Sequence, residues 1–186
     1  MSGRMKKMKA YSISFSGLKV GTHHFDYQID NSFFEDLDYL EFNDAELLVN
    51  LTLEKKTTLL ELEFESKGHV NVNCDLTNEP FNQPVEASLK LVVKFGEAYN
   101  DDNDEILVLP HGEHELNVAQ YIYEMIVLAL PLKKVHPGVE DGTLESDILN
   151  RLKELSPDKE SKQENNDDYQ DPRWDSLKKL LTDKQQ

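Results

Sequence analysis

From residue 11 to residue 109, apolar side chains recur mostly at every second position, the period of half-buried strands. Tyr11, Ile13 and Phe15 alternate with Ser12, Ser14 and Ser16, and Phe25, Tyr27 and Ile29 alternate with His24, Asp26 and Gln28. Leu47, Val49, Leu51 and Leu53 form one face of the next strand. After a Lys55-Lys56 turn, Leu60, Leu62 and Phe64 alternate with Glu61, Glu63 and Glu65, which predicts a hairpin with a glutamate-lined outer face. A turn at Lys67-Gly68 leads to Val70, Val72 and Cys74 on one side of a further strand. Beyond Pro80 and Pro84, the positions Val85, Ala87, Leu89, Leu91, Val93 and Phe95 give the longest clean alternation. Residues 100–105 read as a polar hairpin excursion before a short strand over 106–109. Short links between successive strands predict an antiparallel meander, as an open barrel or a strongly twisted sheet.

Helical spacing interrupts this pattern in a few places. A short helix is expected between Phe33 and Phe42, with Asn31 or Ser32 as its cap. The period then changes at Asn117, a helix cap with Gln120 at the third position and Leu116 able to staple onto Tyr121. Val118, Ile122, Met125 and Ala129, with Tyr121 and Leu128, make a wide apolar stripe that Pro131 terminates. A second helix starts from Leu144, with Ile148, Leu152 and Leu155 at helical spacing. The fold class is therefore α+β, a β meander covered by a few helices, in a single domain over residues 1–155. Residues 156–170 contain almost no apolar side chain and read as a flexible acidic linker. In the segment 171–186, Asp171 and Pro172 open a short C-terminal helix with Trp174, Leu177 and Leu181 on one side. About ten residues of isolated helix are marginal in water, so this segment needs a surface, either its own domain or a partner.

Composition sharpens the picture. The 186 residues carry 20 basic and 36 acidic side chains, a formal charge of −16. That balance argues against a protein that grips nucleic acid over its whole surface, while leaving room for a local basic patch. Hydrophobic residues reach 38%, below the level of fully packed chains, as a solvated segment would cause. Cys74 is the one cysteine, which excludes an intramolecular disulfide and suits a reducing compartment. Residues 1–9 are basic, but no apolar stretch of signal-peptide type follows. The longest apolar run, residues 121–132, contains Glu124 and falls short of the roughly 20 residues of a membrane span. The expectation is a cytoplasmic protein with no membrane partner.

Candidate chemistry is sparse. Cys74, on the inward face of a strand, reads as an inert small hydrophobe, and spacing places neither His69 nor His114 beside it. His111-Gly112-Glu113-His114 lacks the i, i+4 spacing of a helical metal pair. Residues 101–105 lack the glycine and distal glutamate of a calcium loop. Glu124, within an apolar helix, reads as an exposed or hydrogen-bonded group rather than a catalytic acid. No nucleophile elbow, phosphate loop or dinucleotide fingerprint occurs. The expectation is no catalytic residue, no metal and no cofactor.

Three segments, in order, carry a resemblance. Cys74-Asp75-Leu76-Thr77-Asn78-Glu79-Pro80-Phe81 resembles a C-x-R-C-x-x-x-F stretch, with Leu76 in place of the arginine and Thr77 in place of the second cysteine. Leu116-Asn117-Val118 through Glu124, Leu128-Ala129-Leu130-Pro131 and on to His136 is similar to a helix followed by L-x-L-P and a histidine. Asp171-Pro172-Arg173-Trp174, with Leu177 and Leu180, resembles a D-P-R tail helix. Together, over roughly residues 70–182, they resemble the YceD family of large ribosomal RNA subunit accumulation proteins. Cys74, Glu79, Phe81, Glu124 and Pro131 are the family-motif positions. Many relatives carry further cysteines after the histidine, where this chain has Val139-Glu140-Asp141-Gly142, so no zinc or redox role carries over.

The resemblance implies a non-enzymatic factor that supports large-subunit ribosomal RNA accumulation and ribosome biogenesis. An acidic surface suits ribosomal proteins or assembly factors that are basic. The candidate partner-binding residues are Lys133, Lys134, His136, Asp171, Pro172, Arg173, Trp174 and Leu177. The alternatives are direct rRNA binding through local Lys/Arg patches, and an RNA-processing enzyme uniting Glu124, His136 or Cys74.

Overall fold

Most of the alternating runs fold as strands of one open six-stranded sheet. The structure, a computed structural model, describes residues 8–103, 105–144 and 147–155. In chain order the strands are β1 (Ser12–Ser14), β2 (Gly21–Asp30), β3 (Asp44–Lys55), β4 (Leu59–Asn73), β5 (Pro80–Gly96), β6 (Asn100–Asn103), β7 (Ile106–Pro110) and β8 (Glu115–Asn117). The helices are α1 (Asn31–Asp36), α2 (Ala119–Leu128), α3 (Pro137–Glu140) and α4 (Asp147–Leu155). The sheet order is β2-β3-β4-β5-β7-β6, and β1 pairs with β8 in a separate two-stranded ribbon. The chain divides into two compact units, Met1–Ser146 and Asp147–Gln186. Both sheets and α1 to α3 belong to the first. In the second, α4 places Ile148, Leu152 and Leu155 at helical spacing. The expected linker over 156–170 and the tail helix over 171–186 lie outside the described residues.

Strands β2 to β5 form the expected antiparallel meander. β7 departs from it, since it runs parallel to β5, with Val92 opposite Ile106. After β5 the chain reverses into the edge strand β6, then turns back and inserts β7 between β6 and β5. The acidic excursion is thus an outer strand, and the short apolar run Ile106–Pro110 takes the more buried place beside β5. The segment starting at Ser12 also leaves the meander, pairing Ile13 with Leu116.

The inner face gathers Leu47, Val49, Leu51 and Leu53 of β3 with Leu60, Leu62, Phe64, Val70 and Val72 of β4, all buried. Each such side chain taken from water contributes about 1.5–3 kcal/mol. On the outer face Lys56 pairs with Glu54 and Glu61, Lys90 with Glu63, and Lys67 with Glu86. These exposed ion pairs add little stability, but their polarity keeps this face in water.

One turn expectation and one helix-cap expectation give way to a better account. β4 runs unbroken through Lys67 and Gly68. A Cβ built on Gly68 would lie against Glu46 O and 2.7 Å from Leu47 Cα, so the glycine admits a close approach of β3 instead of making a turn. Helix α1 begins earlier than expected and is capped by Asp30, whose carboxylate accepts from Phe33 N at 3.3 Å and from Ser32 Oγ at 2.6 Å. Asn31 and Ser32 are its first helical residues rather than its cap. Through it, Tyr11, Tyr27, Phe33, Phe34, Tyr39 and Phe42 form a run of ring contacts that reaches Tyr123 of α2, 5.6 Å from Tyr39. Burial pushes the Tyr27 hydroxyl up to about 12, with Tyr11 adding to the shift.

Two neighbouring positions on β4 should respond in opposite ways. Gly68→Ala forces a Cβ into backbone and should destabilise by about 1–3 kcal/mol. Ser66 Oγ is buried without a hydrogen-bond partner, so Ser66→Ala should be neutral or stabilising. Denaturant midpoints at equal m-values measure both. Equal losses at the two sites would contradict the close-approach account.

Candidate functional site

The link between β4 and β5 is a closed loop. Cys74 N donates to Glu79 O at 2.9 Å, and Asn78 N donates to Cys74 O at 2.8 Å. Asn78 sits in the left-handed region, φ 59°, a conformation asparagine tolerates. Leu76 packs against the core, and Phe81 and Thr77 are buried. Cys74 begins this loop just past the end of β4, still facing inward and only 2% exposed.

Residues 131–138 come alongside. Asp75 N donates to Lys134 O at 2.8 Å, and Asp75 Oδ2 accepts from Lys134 N at 2.6 Å. Two residues on, His136 N donates to Cys74 Sγ at 3.3 Å. The His136 ring lies 5.5 Å from the Phe81 ring in an edge arrangement, and its Nδ1 accepts from Gly138 N at 3.0 Å, capping α3. The first two motif segments, distant in sequence, therefore meet at one sulfur. Spacing did not place His69 or His114 near Cys74, and the structure brings the backbone of His136 there instead.

Burial raises the Cys74 thiol, but the Thr77 hydroxyl and the backbone N–H groups of His136, Leu76 and Thr77 together outweigh it and lower the pKa. These donors stabilise negative charge on sulfur. With the sulfur so enclosed, their first effect is to fasten the 131–138 segment to the 74–79 loop. The expectation of an inert small hydrophobe holds for burial and fails for electrostatics.

The other candidate positions separate. Lys134 is half-buried, its Nζ 3.5 Å from Glu41 Oε2, and His136 is engaged as described, whereas Lys133 is exposed. Glu79 is half-buried and serves the loop through its carbonyl, and Pro131 is exposed after α2. Glu124 is exposed and accepts from Gln120 Nε2 at 2.5 Å. Asp171, Pro172, Arg173, Trp174 and Leu177 lie outside the described residues. Among the described residues, no cluster of three or more His, Cys, Asp or Glu side chains converges on a metal position.

Sequence reasoning passed over a groove of about 910 Å³ between α2 and the strands β5 to β8. Its α2 wall includes Tyr121, Glu124, Met125 and Leu128. The expected apolar stripe of α2 in fact divides. Val118, Ile122 and Met125 are buried, as are Ala119 and Ile126, whereas Leu128 is 82% exposed and Ala129 is also exposed. The available signal was the width of that stripe, greater than one packing face requires.

A family model described as "Large ribosomal RNA subunit accumulation protein YceD" matches residues 62–181, more than half of the chain. No curated protein and no solved structure matches. Among the described residues no helix is long and apolar enough to cross a membrane.

Thr77→Val removes one donor to the Cys74 sulfur and should raise the thiol pKa, moving thiolate formation to higher pH. Ultraviolet absorbance of the thiolate, followed against pH, measures the shift. An unchanged midpoint would remove the hydroxyl from the account.

Proposed function

The chain belongs to the YceD family and has a ribosome-related role, and from that premise we propose that it is a non-enzymatic factor in large-subunit assembly that acts through protein contacts. Its partner is a basic ribosomal protein or assembly factor met in the cytoplasm. The observation that carries this reading is the charge of the exposed sheet face. There Glu46, Glu54, Glu61, Glu63, Glu65 and Glu86 outnumber Lys56, Lys67, Lys90 and Lys94. Such a face repels phosphate and accelerates encounter with a basic protein. The cluster with most promise for RNA, Lys133, Lys134 and His136, supports this choice, since two of its members are already engaged by Glu41, Phe81 and Gly138. Asp171, Pro172, Arg173, Trp174 and Leu177 form a second proposed contact, with tryptophan and arginine as anchors.

Deleting the gene should lower large-subunit relative to small-subunit ribosomal RNA, and tagged protein should co-purify with large-subunit precursor particles. Unchanged RNA with no particle association would sink the reading. Lys133→Ala with Lys134→Ala should leave particle recovery nearly intact. A steep loss, together with salt-sensitive binding to naked RNA, would favour direct RNA binding instead. Trp174→Ala with Leu177→Ala, in the full chain, should reduce recovery. Undiminished recovery would remove that segment from the contact.

A further inference from the structure

The groove beside α2 has a lining that fits one kind of occupant. Its floor is apolar, with Leu107, Leu109, Leu116 and Met125 buried at the base. Its rim carries Asp101, Glu113, Glu115 and Glu124, all exposed, and among the described residues no lysine or arginine lines it. At about 910 Å³ it lies toward the upper end of the volumes that hold drug-sized ligands. Being an open groove, it takes several side chains of a chain segment.

Two large apolar side chains of this lining already stand in solvent. Leu128 is 82% exposed and Tyr99 is 56% exposed. Exposed apolar surface edged by polar groups is characteristic of protein contact sites. The tyrosines on the walls register the local field. Burial, with Tyr99, Asp101 and Glu124 adding to it, pushes the Tyr121 hydroxyl up to about 12. Tyr99 OH donates to Asp101 Oδ2 at 3.0 Å, so this carboxylate is held at the rim.

We propose that this groove docks a lysine- and arginine-rich segment of a partner protein, whose apolar side chains enter between the charges. The inference rests on the protein-contact reading above and gives that contact a place. Charge complementarity selects the occupant. An acidic segment or a phosphate backbone meets four carboxylates there and no described cation, and a purely apolar ligand leaves that charge unmatched. A basic segment neutralises Glu113, Glu115 and Glu124 while its apolar side chains cover Leu128 and Tyr121.

The test uses the full chain and a fluorescent synthetic amphipathic peptide, with lysines and arginines flanking leucine and tryptophan anchors. Anisotropy should show binding. Glu113→Lys with Glu124→Lys should weaken it about tenfold or more, and Leu128→Ser should also weaken it. Glu35→Lys, on α1 and outside both the groove lining and the glutamate face of the sheet, should change it little. A peptide with glutamates replacing its basic residues should not bind. Unaltered thermal midpoints confirm that the variants are folded. No binding of the basic peptide overturns the inference. So does equal weakening by Glu35→Lys, which would indicate attraction to acidity anywhere on the surface. Sedimentation showing a dimer that Leu128→Ser dissociates would give the groove to a second copy and overturn it likewise. In cells, a Glu113→Lys, Glu124→Lys chain that still recovers precursor particles overturns the groove as the contact but leaves the assembly reading standing. Absence of particles with the unaltered chain removes the assembly reading, and the peptide measurement still decides the groove.

Discussion

The pairing of β4 on both sides constrains everything else. β3 lies against it from Asp44 opposite Asn71 to Lys55 opposite Leu60, and β5 from Pro80 opposite Asn73 to Lys94 opposite Leu59. Strand side chains alternate faces, so a slip of one residue would carry Leu60, Leu62 and Phe64 into water and Glu61, Glu63 and Glu65 into the core. Several buried side chains would be exchanged at once, far more than a marginally stable fold tolerates. With that register fixed, Gly68 must face Leu47, and β4 must end where the 74–79 loop begins. The point at which the His136 segment attaches is thus set by alternation many residues earlier.

The alternation made the strands and their inner faces legible in the sequence, because burial on one side leaves a mark at every second residue. The arrangement at the sheet's far edge was less legible. Nothing local distinguishes a short apolar run that continues a meander from one that inserts beside β5, and residues 106–110 look the same either way. Gly68 misled for a related reason, since a glycine needed for close approach has the same letter as one needed for a turn. Asp30 was hidden as a cap by lying at the end of a strand. The meeting of Cys74 with His136 depends on tertiary pairing through Asp75 and Lys134, which no sequence spacing encodes. On α2, apolar character told where side chains avoid water but not which of two surfaces they avoid it on, so Leu128 read as core.

Helix α2 links the groove, which it walls, to the segment that meets the motif loop. Helix α2 is secured ahead of its first turn by Asn117, whose Oδ1 accepts from Ala119 N at 2.9 Å while its Nδ2 donates to Met8 O at 2.8 Å and Ser12 Oγ at 3.1 Å. Beyond its last turn, the chain is secured again where Lys134 meets Asp75. Tyr39 braces its middle through Tyr123. A helix held in this way presents Glu124 and Leu128 at fixed positions, and binding to such a surface loses less conformational freedom than binding to a mobile one. The residues that the family pattern emphasises at Cys74 and His136 thereby support a surface made largely of other residues.

The ribbon of β1 and β8 has a consequence for the order in which the chain acquires its form. Ile13 finds its partner only at Leu116, and Asn117 ties back to Met8 and Ser12. Contacts between residues so far apart are slow to form, because a long loop must close before any reward is gained. During synthesis β2, β3, β4 and β5 can pair as each emerges, while Ile13 waits for its strand partner until more than a hundred residues have followed. A core residue that precedes the whole meander is thus among the last to be covered, and the ribbon that covers it ties the residues ahead of β2 to those just ahead of α2.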